Sequence, residues 1–200
     1  MRKAKEAPKC SATSSGTSGH FIPKLLEEAV GAKFTVVMGY QGGAEQDLAF
    51  ERGEVVCRAL SIPTFFAREP FATWRKKGMV RILLQTGRKR DAKMADVPTI
   101  HELMNEHKTP VSTRALVTAI LASGDLGRPF VTPPAIPAER LRILRDAFRK
   151  TMSDPAFLAD VKTRKLATDP DYGEELETLA KELVAQPREI IERMKKLLSE

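Results

Sequence analysis

The sequence predicts an α/β fold: a mostly parallel sheet in the first half, followed by a run of C-terminal helices. Three observations carry this. Short apolar runs rich in β-branched residues recur up to about residue 110. Segments of helical period separate them, so each strand is followed by a helix rather than by a hairpin turn. Beyond residue 110 the pattern changes to amphipathic helices that start at proline or serine.

The elements follow in order. Cys10-Ser11-Ala12 ends a first strand, and a Ser/Thr/Gly run, residues 13–19, follows it. Phe21, Ile22, Leu25, Leu26, Ala29 and Val30 then recur at helical spacing up to Gly31, a natural stop. Pro23 argues that this helix starts near Gly19 or His20, because a proline in the second turn removes a hydrogen bond and clashes. Residues 34–38 read as a buried strand, 44–52 as a helix, and 54–60 as a third strand. A short helix follows Pro63 and breaks at Pro70. Residues 80–85 read as a fourth strand, and Pro98 opens a helix to about His107. Leu116–Leu121 reads as a strand, with Ser123–Arg128 as a loop and 132–137 as a stiff extended connector. Helices then start at Pro137, after a Ser153 cap, around Leu176, Leu179 and Leu183, and at Pro187. The second half thus needs a surface to cover, either the first sheet or something outside it.

Composition narrows the function. The 200 residues carry 33 Lys+Arg against 26 Asp+Glu, a net charge of +7. Much of the excess lies in Arg68, Arg75, Lys76, Lys77, Arg81, Arg88, Lys89, Arg90 and Lys93, opposed there by Glu69 and Asp91. Nucleic-acid modules interleave such charge with exposed aromatics or a recognisable motif. Neither is present, so this stretch reads as a solvated face and nucleic acid is not an expected partner. Two cysteines exclude a disulfide-rich mini-protein and a four-cysteine zinc site. Cys10 and Cys57 lie on two predicted strands; buried free thiols are favoured, although neighbouring strands permit a bridge. No apolar run reaches the length of a membrane span. The basic start, residues 1–8, has no hydrophobic stretch behind it and so is not a secretory signal.

In a parallel α/β sheet, ligands bind beyond the carboxyl ends of the strands. Those ends are the loops at 11–19, 39–43 and 61–64, all rich in Ser, Thr, Gly or Tyr. Thr13, Ser14, Ser15, Gly16, Thr17 and Ser18 form a hydroxyl-bearing loop that enters a helix, an arrangement that suits a carboxylate or phosphate. It lacks the Gly-Lys-Ser/Thr of a P-loop and the Gly-x-Gly-x-x-Gly of a dinucleotide fingerprint. A Ser-dependent hydrolase would need an activated serine. Ser18 and His20, two apart at a helix start, do not face each other, and there is no Gly-x-Ser-x-Gly elbow. His20, His101 and His107 show no metal-ligand pairing with carboxylates and read as surface or core histidines.

Ser14-x-Gly16-Thr17-Ser18-Gly19-His20 resembles the Gly-x-Gly-Ser-Ser-Ser-His loop of the substrate-binding receptors of tripartite tricarboxylate transporters (Bug-type receptors). Tyr40-Gln41-Gly42-Gly43-Ala44 resembles their Tyr-Lys-Gly-x-x segment. Arg88-Lys89-Arg90 through Asp96-Val97-Pro98-Thr99-Ile100 resembles their Lys-Arg to Asp-Val-Pro-Thr stretch. Pro133-Pro134-Ala135-Ile136-Pro137 to Arg145 resembles their Ala-Pro-x-Gly-x-Pro segment and its helix. The likeness is collinear over about residues 9–198.

The resemblance implies a type II periplasmic-binding-protein-like lobe that closes on a small carboxylate, with no catalysis and no cofactor. It implies a periplasmic location and membrane transporter subunits as partners. Residues 9–110 would be the ligand-binding lobe. Residues 111–200 would be the crossover segment and the C-terminal helices, which would pack on a first lobe missing from this chain. By matching position, Thr13, Ser14, Ser15, Gly16, Thr17, Ser18, Tyr40, Gln41, Gly42, Gly43 and Ser61 would line the ligand site. Two departures stand out: an early loop serine aligns with Ala12, and an aspartate that suits a ligand amino group aligns with Leu60. The second favours a plain carboxylate. The effector-binding domain of a transcription regulator shares this two-lobed architecture, but no helix-turn-helix precedes it here.

Overall fold

A computed structural model describes residues 5–127, 129–164, 166, 168 and 170–199. The basic residues 1–4, and Arg128 of the expected 123–128 loop, lie outside the described residues. The chain divides into two compact units, Met1–Leu121 with Pro187–Glu200, and Ala122–Gln186.

The first unit begins with β1 (Lys9–Ser11), which leads into α1 (Ser18–Val30). Thr17 caps α1, and Gly31 ends it in the left-handed region, φ 67°, with its N–H donating to the Glu27 carbonyl at 2.9 Å. The helix starts earlier than Pro23 suggested. Pro23 sits inside it and leaves the Gly19 carbonyl without its helical donor, but the ring is buried along with Leu25 and Leu26. Packing outweighs the lost bond. Gly19 is required for a different reason: a Cβ there would lie 2.6 Å from the Ser11 carbonyl oxygen.

β2 (Thr35–Val37) follows, then α2 (Gly43–Glu51), β3 (Cys57–Arg58), α3 (Ile62–Ala67) and α4 (Phe71–Lys76). The strands pair in parallel in the order β2-β1-β3. β2 is therefore an edge strand, and its residues are exposed or half-buried instead of fully buried as the apolar run suggested. β3 is also shorter than its run. Register places Val37, Ser11 and Arg58 in one row, and Val36, Cys10 and Cys57 in the next. Side chains in a row share a face, and successive rows alternate faces.

Cys10 and Cys57 form a disulfide with Cα atoms 4.5 Å apart. This corrects the expectation of free thiols: register pairing sets the two residues directly opposite each other on one face, within disulfide reach.

The expected fourth strand at 80–85 does not form. Val80 and Ile82 pack against an aromatic cluster of Phe65, Phe71 and Trp74. Gln85 instead makes a single parallel bridge to Thr99. Its side chain donates to the Met94 and Val97 carbonyls (2.8 and 2.9 Å) and accepts from the Asp91 N–H (2.8 Å). Those bonds organise the 85–99 loop. α5 (Ile100–Glu106) has a full capping box, Thr99 with Glu102, so Pro98 lies just before the helix, not in its first turn.

α6 (Val111–Asp125) overturns the expected strand at 116–121 and takes in residues 123–125 of the expected loop, leaving Leu126 and Gly127 outside the helix. Leu116, Val117 and Ile120 are buried at helical spacing, which a short apolar run does not distinguish from a strand. The core of this unit contains Leu25, Ile100, Met104, Leu116 and Ile120.

The second unit holds α7 (Ala138–Ser153), α8 (Pro155–Thr163) and α9 (Gly173–Val184). Pro155 at the first position of α8 makes Asp154 the cap, accepting from the Phe157 N–H at 2.8 Å. Ser153, the expected cap, belongs to α7 and donates to the Arg149 carbonyl. Among the described residues, α7 and α9 bury none of their side chains. Arg145 pairs with Glu174 and Glu177, and Arg149 with Glu174. The ring centroid of Phe148 lies 6.1 Å from that of Phe130 and 6.4 Å from that of Tyr172.

α10 (Arg188–Ser199) returns to the first unit, where Arg193 reaches Glu28 on α1 at 3.1 Å.

Candidate functional site

The order β2-β1-β3 reverses the direction of winding, which makes the ends of β1 and β3 a topological switch point. α1 carries the chain from β1 to the edge; α2 then carries it back past β1 to β3. His20 and Pro23 of α1 border Val36, which places α1 on the face of the disulfide row. Arg58 meets Gly43 and Asp47 of α2 and the ring of Phe71 in α4, so α2 and α4 cover the other face. The loops leaving β1 and β3 therefore turn to opposite faces, and the gap between their carboxyl ends is the place where such sheets bind ligands. The disulfide pins these two strands one residue below that gap.

The loop after β1 is exposed at Ser14, Ser15, Gly16 and Ser18, and half-buried at Thr13 and Thr17. Part of it is spent on its own shape. The Thr17 hydroxyl donates to the Ser14 carbonyl at 2.7 Å, and the Gly16 N–H donates to His20 Nδ1 at 3.3 Å. His20 is buried and supports the loop from below. The end of α10 flanks it, with the Leu198 carbonyl 3.8 Å from where a Gly16 side chain would begin.

The loop after β2 is joined to the first by the Gly39 N–H, which donates to the Thr13 carbonyl at 3.2 Å. The structure thus brings Thr13–Ser18 and Tyr40–Gly43 to the same end of the sheet. Gln41 donates its backbone N–H to Glu45 at 2.7 Å, which braces the turn into α2. Ser61 also lies beyond its strand, but its hydroxyl caps α3, bonded to Thr64 Oγ1 at 2.8 Å and accepting from the Thr64 N–H.

Sequence reasoning missed three residues beside these loops. Ser11 is fully buried on β1, and its Oγ finds no partner among the described residues. Arg58 on β3 donates to the Gly43 carbonyl at 3.1 Å and pairs with Asp47 on α2. Burial pushes the Asp47 carboxyl above its ordinary value; Arg58 offsets only part of that, and Glu51 adds to it. A charged residue closing the run Val55-Val56-Cys57-Arg58 was the signal available in the sequence.

A groove of about 230 Å³, lined by His20, Pro23, Lys24, Glu27, Phe34, Val36 and Met38, runs beside the β2 edge. The Ser/Thr/Gly loops do not line it. Among the described residues no cluster suits a metal ion, and no helix is long and apolar enough to cross a membrane. The basic stretch is partly engaged in packing. Arg75 stacks on Phe66 at 4.5 Å, Lys93 lies over the same ring, and Arg90 pairs with Glu102 at 2.9 Å.

A family model described as the tripartite tricarboxylate transporter family receptor matches residues 2–196. No curated protein and no solved structure matches the chain.

Proposed function

Because the chain belongs to the tripartite tricarboxylate transporter receptor family, a family of binding proteins with a type II periplasmic-binding-protein-like fold, we propose that it binds a small carboxylate without catalysis. Receptors of this family bind small ligands and work with transporter membrane subunits, and its members are periplasmic. In our reading this chain does the same, delivering its ligand to such a transporter from the periplasm. The disulfide supports that location, since such bonds persist in oxidising compartments.

The observation that carries the reading is the hydroxyl-rich loop Thr13–Ser18 at the start of α1, tied to the Tyr40–Gly43 turn at the crevice between β1 and β3. Backbone N–H groups at a helix start and serine and threonine hydroxyls all favour an anion. Ser61, at the start of α3, completes the proposed lining. Residues 9–110 are the ligand-binding lobe in this reading. Residues 111–200 are the crossover and C-terminal helices in this reading; α6 and α10 pack on the α/β unit, and the apolar stripes of α7 and α9 would face a first lobe outside residues 1–200. The partial cover of α7 and α9 supports this: Leu144 is exposed, and Leu141, Phe148, Leu176, Leu179 and Leu183 are only half-buried. The absence of an acidic side chain at Leu60 favours a plain carboxylate over an amino acid.

Calorimetric titration at neutral pH tests the proposal, using citrate and succinate against aspartate and putrescine. Heat is expected from the first two, less from aspartate and none from putrescine. Equal binding of putrescine, or no binding of any carboxylate, would contradict it.

A further inference from the structure

The loops assigned to the carboxylate carry no formal positive charge: neither 13–18 nor 40–43 contains a basic residue. A basic side chain nevertheless stands beside them. Arg58 closes β3 at the crevice, and its guanidinium lies against Gly43, with Nη2 3.4 Å from where a Gly43 side chain would begin. Its Nη1 donates to the Gly43 carbonyl and to Asp47. The side chain keeps 13% of its surface exposed. Arg58 therefore places its charge at the first residue of α2, where the helix end already favours an anion.

Two further atoms point the same way. Nε of Arg58 is buried and meets no acceptor among the described residues, and the same holds for the Oγ of Ser11. These residues are register partners on adjacent strands and share one face of the sheet. Buried polar atoms are rarely left without partners. Here both can donate, so one carboxylate oxygen at the strand ends would accept from both.

We propose that Arg58 is the cationic arm of the carboxylate site, and that Asp47 competes with the ligand for it. The proposal rests on the carboxylate reading above and deepens it. A purely structural latch between β3 and α2 would need both partners equally. A ligand-binding arginine restrained by a competing carboxylate needs only the arginine.

The test compares citrate and succinate affinities of the full chain with those of Arg58→Gln, Arg58→Lys and Asp47→Asn. Fold is checked by amide NMR fingerprint, and Arg58→Lys and Asp47→Asn carry the test where Arg58→Gln does not fold. Removing a charge-assisted hydrogen bond is expected to weaken binding by about tenfold or more in Arg58→Gln. Arg58→Lys should recover part of that loss, and Asp47→Asn should bind more tightly than the parent chain. Equal weakening in Arg58→Gln and Asp47→Asn would reduce the pair to a structural latch and overturn the proposal. Unchanged affinity in Arg58→Gln would overturn it as well, while leaving the carboxylate reading standing. A parent chain that binds neither citrate nor succinate would overturn both.

Discussion

Leu25 and Leu144 are the same side chain on two amphipathic helices. Leu25 on α1 is fully buried, whereas Leu144 on α7 is 51% exposed. The α/β unit buries the apolar faces of α1 and α6 and staples its strands with a disulfide. The unit of α7 to α9 is held by arginine–glutamate pairs and a few ring contacts. An apolar stripe therefore shows that a helix has something to cover; it does not show that the cover lies within the same unit.

Leu25→Ala is expected to cost about 2–5 kcal/mol in urea unfolding, and Leu144→Ala no more than about 0.5 kcal/mol. Similar losses at both sites would mean that the α7 stripe is covered after all. Next comes the staple. Replacing Cys10 and Cys57 by serine releases a loop that spans 47 residues of sequence separation. The expected loss is about 2–4 kcal/mol. It should appear in the fluorescence transition of Trp74, which is buried in the α/β unit. An unchanged Trp74 transition would deny the disulfide its role in joining the strands around the crevice. Thr99→Ala removes half of the α5 capping box and is expected to cost about 1 kcal/mol by the same measurement.

The smallest effect is one of pH in the helical unit. Hydrogen bonds from Lys181 and Arg145 hold the Glu177 carboxyl below its ordinary value. A carboxyl lowered in the folded state contributes stability that is present above its ordinary pKa and lost as pH falls through the lowered one. Helical circular dichroism should thus stay level from neutral pH to the ordinary glutamate range and decline only below it. A decline that begins near neutral pH would show that another group controls this unit.

α1 was legible from its strong helical period, and α2 from the glycines that bracket it. The run 34–38 showed a strand but not its place at the sheet edge, which depends on the pairing order. The misreadings share a cause. Residues 80–85 and 116–121 are short apolar runs whose state depends on partners: the first meets an aromatic cluster and the second completes a buried helix face. The hydroxyl loops were legible from composition and position. Ser11, Asp47 and Arg58 were not, because strand register and the return of α2 bring them together across 47 residues of sequence.

In the proposed reading, the loops at the carboxyl ends of β1 and β2 hold a carboxylate. An amide NMR titration of the full chain with succinate tests it most directly, since it reports weak binding residue by residue. Shifts concentrated at 13–18 and 40–44 are expected, with α7 to α9 unmoved. Shifts confined to the helical unit or to the β2 groove, with those two loops silent, would contradict it.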